Sequence, residues 1–474
     1  MIREISNLAL PNLLLMKNYF YFLLFFPVLV SAQQPWSDSS PVEYAWKYVG
    51  IEAFSQWQVG YTSIALNSSD EPYVAFRDGQ NSDKTTVMKF NGTSWEFVGD
   101  AGFSAGSANC INLTFSPSGQ PYVTYVDGGN SGKATVMKFD GTNWMNVGAA
   151  GFSAGSVQFT NITFSPSGKP YVAYEDWGNS QKATVMKFDG TNWVTVGAAG
   201  FSAGRAQFTN IVFNPLDTLP YIVFQDNGIS TKARVMKFNG SNWVDVGTAG
   251  FTTGIAGYTC LAFTSSGQPY VAFEDWENSH KASVMKFDGT NWISVGNEGF
   301  SAGQALFTNI AFSPSGQLFV AYEDYAYYEK ATVMKFDGNN WLIVGNAGFS
   351  ASWANFTSLT ISTSGVPYVA FSDNAYIGKA SVMKYDSVFM GINEQRGLQV
   401  AIYPNPTADY IIIETSEIPA NSFLSIMNFC GQEQITRKIT ESKTQLDISN
   451  LPSGVYFVRL TSGKSVEVGK FVKQ

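Results

Sequence analysis

The chain has 474 residues, of which 14% are charged, and its 37 acidic against 29 basic side chains leave a formal net charge of −8. With 45% apolar and 15% aromatic residues it carries enough apolar surface to fold, which excludes general disorder, while the acidic balance argues against sequence-independent nucleic-acid binding. One histidine and three cysteines exclude a multi-histidine metal centre, a four-cysteine zinc site and a disulfide framework.

The amino-terminal segment has the pattern of a secretory signal peptide. Residues 19–30 are almost wholly apolar, Lys17 precedes them, and small residues at 30–32 close the run. This run is shorter than the roughly 20 apolar residues of a membrane span. We therefore predict export, with a signal peptide over residues 1–32 whose alternative start is Met16.

A repeat of about 49 residues fills most of the chain. The tetrapeptide VMKF recurs at steps of 49 or 50 residues, and a seventh copy reads VMKY. The copies begin at Val87, Val136, Val185, Val235, Val284, Val333 and Val382.

Each repeat contains four short runs rich in β-branched and aromatic residues, separated by turn residues. In the third copy these runs are TNITF, PYVAYED, KATVMKF and NWVTVG, and we predict four antiparallel strands. Units of 40–50 residues with four strands each are typical of a β-propeller. A linear β-solenoid is the competing architecture, although solenoids need dedicated capping repeats.

The two ends of the array predict closure of a ring. The seventh copy ends at Ser387 without its fourth strand, and Trp46 stands 49 residues before Trp95, in phase with the missing strand. We therefore predict an all-β, seven-bladed propeller over residues 43–387, in which an amino-terminal strand completes the last blade and removes its exposed edge.

Two charged residues are invariant among the copies. An aspartate ends the second strand and a lysine opens the third, and we predict that the opposite charges meet at the hairpin neck and fix its register. A ring of seven binding sites is the alternative. The pairs are Asp78 and Lys84, Asp127 and Lys133, Asp176 and Lys182, Asp226 and Lys232, Asp275 and Lys281, Asp324 and Lys330, and Asp373 and Lys379.

The turn FDGTNW between the third and fourth strands resembles a degenerate Asp-box of sialidase-like propellers. The resemblance implies the fold and says nothing of hydrolysis, and we expect its tryptophan to pack between outer strands. A further aromatic position precedes the core residue of each first strand by three, and we expect it in the core between blades. It is occupied by Tyr61, Cys110, Phe159, Phe208, Tyr258, Phe307 and Phe356.

In a propeller, the loops from strand four to the next strand one and from strand two to strand three emerge on the same face. The first set is uniform, and the second varies between copies, as functional loops do. Exposed aromatic clusters mark binding surfaces, so these residues are candidates for stacking on sugars; the alternative is that each ring covers its own hairpin. The candidates are Trp177, Trp276, His280, Tyr325, Tyr327, Tyr328 and Tyr376.

No catalytic constellation is apparent, so we expect no catalytic residues, no metal and no cofactor. Glycoside hydrolysis needs two converging carboxylates, whereas the loop acids are isolated in sequence. Glu175, Glu274 and Glu323 precede the invariant aspartate in only three copies, where they are expected to face a neighbouring blade.

After a linker at 388–399, residues 400–474 have a different composition that predicts a small Ig-like β-sandwich. Its motifs closely resemble the carboxyl-terminal sorting domain of the type IX secretion system of Bacteroidota. The resemblance implies outer-membrane passage through that machinery, followed by cleavage and release or attachment to surface lipopolysaccharide. The motif residues are Tyr403, Pro404, Asn405, Pro406, Gly454, Val455, Tyr456, Lys470 and Lys473.

The sequence thus predicts a secreted or surface-displayed monomeric propeller that binds glycans or cell-envelope components and no nucleic acid. A structural or adhesive surface protein without a small ligand is the second hypothesis. A polysaccharide-degrading enzyme is the third.

Overall fold

Each repeat folds into a four-stranded antiparallel sheet because its β-branched and aromatic runs alternate with residues that favour turns. The computed structural model describes residues 43–388, 400–415, 422–429, 431–462 and 465–474. The predicted signal peptide, and the predicted linker from residue 389 onward, lie outside these ranges.

The seven blades follow one another along the chain. Strand β1 (Glu43–Tyr48) comes first. Blade 1 contains β2 (Val59–Leu66), β3 (Pro72–Asp78), β4 (Lys84–Phe90) and β5 (Trp95–Phe97); blade 2 contains β6 (Ala108–Phe115), β7 (Pro121–Asp127), β8 (Lys133–Phe139) and β9 (Trp144–Asn146). Blade 3 contains β10 (Val157–Phe164), β11 (Pro170–Asp176), β12 (Lys182–Phe188) and β13 (Trp193–Thr195); blade 4 contains β14 (Ala206–Phe213), β15 (Pro220–Asp226), β16 (Lys232–Phe238) and β17 (Trp243–Asp245). Blade 5 contains β18 (Ala256–Phe263), β19 (Pro269–Asp275), β20 (Lys281–Phe287) and β21 (Trp292–Ser294); blade 6 contains β22 (Ala305–Phe312), β23 (Leu318–Asp324), β24 (Lys330–Phe336) and β25 (Trp341–Ile343). Blade 7 contains β26 (Ala354–Ile361), β27 (Pro367–Asp373) and β28 (Lys379–Val388).

The ring closes through the amino-terminal strand, as predicted. Strand β1 is the outer strand of blade 7, where it pairs antiparallel with β28 and sets Trp46 opposite Tyr385. The inner strand of blade 1 contacts the inner strand of blade 7, as every other pair of neighbouring blades does. The closed ring excludes the linear solenoid.

Each blade is joined to the next by the tryptophan of the FDGTNW turn, which confirms its predicted packing role. Its indole N–H donates to a valine carbonyl of the preceding blade at 2.6–2.8 Å. Its ring stacks on a phenylalanine of the loop between those blades, with centroids 3.8–4.7 Å apart. Both contacts occur seven times, six of them through tryptophans of these turns and the seventh through Trp46 of β1.

The apolar core lies between the blades. Val136 of blade 2, for example, packs in one cluster with Val172 and Tyr174 of blade 3, all three at most 1% exposed. Burial of one such side chain stabilises the fold by about 1.5–3 kcal/mol, so each sheet depends on its two neighbours.

Six of the loops between strands two and three begin with one turn of 3-10 helix, and blade 5 has a plain turn there. The helical turns are Gly79–Asn81, Gly128–Asn130, Trp177–Asn179, Asn227–Ile229, Tyr325–Tyr327 and Asn374–Tyr376. Among the residues that the structure describes, none forms a helix of the length and apolarity that a membrane crossing requires.

The carboxyl-terminal domain consists of two small antiparallel sheets around one core, which confirms the predicted sandwich arrangement. Buried residues of both sheets, such as Ile411 and Leu424, pack in a single cluster. One sheet contains β29 (Val400–Tyr403), β30 (Tyr410–Thr415) and β33 (Lys443–Asp447); the other contains β31 (Ser422–Met427), β32 (Glu433–Ile439), β34 (Gly454–Ser462) and β35 (Ser465–Lys473).

Candidate functional site

Both predicted loop sets lie on one face of the ring, called here the upper face. In blade 3, a β-carbon on Gly155 of the loop before the first strand would stand 2.6 Å from the backbone nitrogen of Gly178, which lies between strands two and three. The side chain of Asn130, from the preceding blade, packs against Gly151 of the same loop. Small residues in the uniform loops therefore let neighbouring loops touch.

The aromatic position of the first strands does not lie in the core between blades, so that prediction is wrong. Each of these residues adopts a left-handed backbone conformation, with φ between 47° and 56°, beside a register shift in the pairing of strands one and two. Such a bulge re-aims the side chain. All seven side chains instead line a cavity of about 270 Å³.

A ladder of hydrogen bonds surrounds this cavity. The threonine after the aromatic residue donates its hydroxyl hydrogen to the carbonyl of the aromatic residue in the preceding blade, as Thr160 does to the Cys110 carbonyl at 2.6 Å. The same bond forms at five other junctions. Ile111 takes the place of threonine in blade 2, so the ladder is interrupted at the junction of blades 1 and 2.

A polar cluster lies on blades 5 and 6, around the carboxylate of Glu274. Its Oε2 accepts the indole N–H of Trp276 at 3.1 Å, and its Oε1 accepts the Nε2–H of Gln304 at 2.9 Å. The Nδ1 of His280 lies 3.0 Å from the same Oε1, and the His280 and Trp276 ring centroids are 4.5 Å apart. We call Glu274, Trp276, His280 and Gln304 the Glu274 cluster.

Glu323 is the equivalent residue of blade 6, and it lacks the partners of Glu274. It is 2% exposed, and its Oε2 has no hydrogen-bond partner in the described structure. Burial, and then the negative charge of Glu329, raise the pKa of Glu323 to about 8, so it carries a proton at neutral pH.

Tyr258 is one of the residues that line the cavity. Burial raises its pKa to about 12, and the charges of Glu274 and Glu323 add to the shift.

The structure brings some of the predicted binding residues together and separates others. Trp276 and His280 are in contact. Tyr325 lies on the loop of the adjacent blade, where burial and then the negative charges of Glu329, Glu323 and Glu274 raise its pKa. Trp177 stands on blade 3 with 46% of its surface exposed. The prediction that these side chains bind a ligand stays a prediction.

Of the other three candidates, Tyr327 and Tyr376 contact residues outside the Glu274 cluster. Tyr327 packs its Cβ against Gly348 of the following loop, and the Tyr376 hydroxyl donates to the Glu52 carboxylate at 2.9 Å. Tyr328 is 80% exposed.

Three upper-face residues were not predicted from the sequence: Gln304, Trp57 and Trp353. The two tryptophans are 55% and 50% exposed, in the loops that precede the first strands of blades 1 and 7. The signal that could have found such positions is variation among copies. The residue before the invariant aspartate is one that differs between copies, reading Arg77, Val126, Glu175, Gln225, Glu274, Glu323 and Ser372.

The invariant aspartate and lysine are opposite each other in register, as predicted, but they do not form the expected ion pair. Asp127 is fully buried; its Oδ1 accepts the backbone N–H of Gly129 at 3.0 Å, and its Oδ2 accepts from Asn130 and from the Thr135 hydroxyl, both at 2.8 Å. No aspartate–lysine pair of this kind lies within 4 Å in the described residues. The carboxylate turns inward because it caps the 3-10 turn, while the lysine stem packs on a glycine of the next loop.

The predicted sorting motifs, distant in sequence, converge in the carboxyl-terminal domain. Asn405 accepts the backbone N–H of Val472 at 2.9 Å and donates to the Lys470 carbonyl at 3.2 Å. Strand β34 pairs with the last strand, so that Gly454, Val455 and Tyr456 lie opposite Lys473, Val472 and Phe471. The YPNP segment and the GVY strand thus flank the basic carboxyl terminus on either side.

Comparison with known proteins agrees with this domain. Residues 401–474 match the family described as a secretion system C-terminal sorting domain. No curated protein matches the chain.

Several solved structures are similar to this chain at low identity. PorZ of Porphyromonas gingivalis, described as an essential surface component of the type IX secretion system, is 14% identical; the match covers 89% of this chain and 60% of PorZ, with a TM-score of 0.43. An ulvan lyase of polysaccharide lyase family 25 is 11% identical over 72% of this chain and 96% of its own, with a TM-score of 0.46. The lectin SapL1, in complex with α-methyl fucoside, is 14% identical over 62% of this chain and 98% of its own, with a TM-score of 0.43. These likenesses concern the fold alone.

The fold and the sorting motifs define the class of this protein: it is a β-propeller protein that carries a secretion domain at its carboxyl end. The carboxyl-terminal domain is a type IX secretion sorting domain, which implies interaction with that machinery and secretion to the cell surface or beyond it.

Proposed function

We propose that the propeller is a glycan-binding module and that the Glu274 cluster on its upper face holds the sugar. The single observation that carries the proposal is the exposed indole of Trp276, which is fixed at its N–H by Glu274 and at its ring by His280. Because the indole is held on its edge, 47% of its surface stays exposed. Because the flat ring is already oriented, little conformational entropy is lost when a ligand stacks on it.

The polar groups around this ring suit hydroxyl groups of a sugar. Glu274 is 3% exposed and holds Gln304 and His280 in place through its carboxylate, so these two partly exposed polar side chains lie beside the ring. Tyr325, 45% exposed, adds a second ring on the adjacent blade. Binding sites commonly combine aromatic surface with a few placed polar groups, and this arrangement supports the proposal.

The test is a glycan array with the full-length chain, followed by calorimetric titration of the best sugar. We expect Trp276→Ala to weaken binding by at least about tenfold, the equivalent of 1.4 kcal/mol. Trp57→Ala removes a tryptophan of similar exposure outside the cluster and should leave the affinity unchanged.

Other outcomes would assign another function. A silent array together with capture of a cell-envelope protein would favour the structural or adhesive hypothesis. Release of reducing ends from a bound polysaccharide would identify an enzyme. Equal losses for both tryptophan variants would overturn the location of the site.

A further inference from the structure

The ring of side chains around the axial cavity is complete except at one position. Neighbouring aromatic rings are in contact all the way from Phe159 to Tyr61, with centroids 4.7–5.2 Å apart. The seventh position, between Tyr61 and Phe159, is Cys110. Because a thiol is much smaller than a phenyl ring, the ring has a slot at this point.

The same junction differs from the other six in a second way. Elsewhere a threonine hydroxyl donates to the carbonyl of the preceding aromatic residue, but Ile111 has no hydroxyl to offer the Tyr61 carbonyl. Two adjacent positions that are otherwise nearly uniform have therefore changed together in blade 2. The slot has an apolar wall at Ile111, which is 7% exposed.

A positive charge stands at the upper edge of this slot. The guanidinium of Arg77 lies 5.3 Å from the centroid of the Tyr61 ring, and its Nη1 donates to Oδ1 of Asn109 at 3.1 Å, immediately before Cys110. Arg77 therefore reaches from blade 1 to blade 2 across the junction. Its nearest carboxylate is Asp83, at 3.6 Å and largely exposed, which screens the guanidinium only weakly.

We propose that this cavity is a binding site for a small aromatic carboxylate. The ligand ring takes the place of the missing seventh side chain between Tyr61 and Phe159, and its carboxylate meets Arg77. Tilted contacts between aromatic rings are favourable, and an arginine–carboxylate hydrogen bond is stronger than a neutral one. A volume of about 270 Å³ lies at the small end of ligand pockets, which suits one ring better than an oligosaccharide.

The test is calorimetric titration of the full-length chain with benzoate. Benzyl alcohol, which has the ring without the charge, and acetate, which has the charge without the ring, are the comparison ligands. We expect benzoate to bind more tightly than either. Absence of benzoate binding at millimolar concentration would overturn the proposal.

Cys110→Phe locates the site, because it installs the residue that four other copies carry and fills the slot. We expect benzoate affinity to fall at least about tenfold, while the urea midpoint stays equal or rises. Arg77→Gln should abolish the preference for benzoate over benzyl alcohol. Met145→Ala, at an exposed position of the same blade, should change nothing.

A second readout addresses Cys110 directly. Bound benzoate should slow alkylation of the Cys110 thiol, followed by mass spectrometry of its peptide. Unchanged benzoate affinity in Cys110→Phe, or unprotected Cys110 at saturating benzoate, would place the ligand elsewhere. Since the Glu274 cluster is untouched by these variants, glycan binding should persist in all of them, which separates the two proposals.

Discussion

The Glu274 carboxylate occupies the space that a side chain on Gly257 would fill: its Oε2 lies 2.5 Å from the position of a β-carbon on that glycine. The two residues are directly opposite in the pairing of β18 and β19. Five other copies carry a side chain at the glycine position, namely Asn109, Gln158, Gln207, Leu306 and Asn355, so the backbone there accepts one. The absence of one in blade 5 gives Glu274 room to hold Trp276.

Gly257→Ala should therefore displace Glu274 and weaken glycan binding. A methyl group 2.5 Å from the carboxylate oxygen forces the Glu274 side chain to move, and Trp276 loses the acceptor of its N–H. We expect a loss of about three- to tenfold in affinity, the cost of one hydrogen bond, measured by calorimetry with the array-selected sugar. Asn355→Ala, at the equivalent position of blade 7, is the control. Unchanged affinity in Gly257→Ala would show that Glu274 does not position the indole.

The invariant aspartate should be far more important for stability than the lysine opposite it. Asp127→Ala removes three hydrogen bonds to a buried carboxylate, one of them from the buried Thr135 hydroxyl, and we expect it to lower the free energy of unfolding by about 2–4 kcal/mol. Lys133→Ala should cost less than about 1 kcal/mol, because no ion pair is lost. Urea unfolding can be followed by tryptophan fluorescence, which reports on the propeller because every tryptophan precedes residue 388. Equal costs for the two variants would restore the ion-pair interpretation.

The fold could be predicted because each copy of the repeat encodes one blade, so the same pattern can be read seven times. The 49-residue spacing, the four apolar runs and the position of Trp46 are local signals that the closed ring satisfies together. The sorting domain was recognisable for a similar reason, since three motifs stand in fixed order. The directions of two kinds of side chain were predicted wrongly. Strands are predicted from the apolar pattern, and neither the bulge at Phe159 nor the inward turn of Asp127 changes that pattern.

The site was harder to predict because it is built from positions where the copies differ. Trp276 and His280 stood out as unusual loop residues, yet Gln304 belongs to a different loop and Glu274 to a strand. Their meeting depends on the angle between two blades, and no spacing within one repeat encodes that angle.

Closure of the ring should depend on Trp46. Its indole N–H donates to the Val344 carbonyl at 2.7 Å, and its ring stacks on Phe349 with centroids 3.8 Å apart. We expect Trp46→Ala to lower the free energy of unfolding by about 2–4 kcal/mol, since both the buried contact area and the hydrogen bond are lost. Trp57→Ala, only 11 residues away and 55% exposed, should change it by less than about 0.5 kcal/mol. A stable Trp46→Ala variant would mean that β1 is dispensable for closure.

The protonated carboxyl group of Glu323 should make the propeller less stable as the pH rises. Its pKa is raised from the ordinary value of 4.5 to about 8, by burial first and then by the charge of Glu329. Between these two values the folded state holds one more proton than the unfolded state, so the free energy of unfolding falls with increasing pH and levels off above about 8.

Glu323→Gln tests this dependence because an amide resembles the protonated carboxyl group and cannot ionise. Relative to the wild-type chain, the variant should gain about 2–4 kcal/mol between pH 5 and pH 8.5, given 1.36 kcal/mol per pKa unit, measured by urea unfolding at both pH values. Glu277→Gln removes an exposed carboxylate from the neighbouring blade and should follow the wild-type curve. If the Glu323→Gln and wild-type curves ran parallel, Glu323 would already be ionised at pH 5, and its buried Oε2 would need a cationic partner.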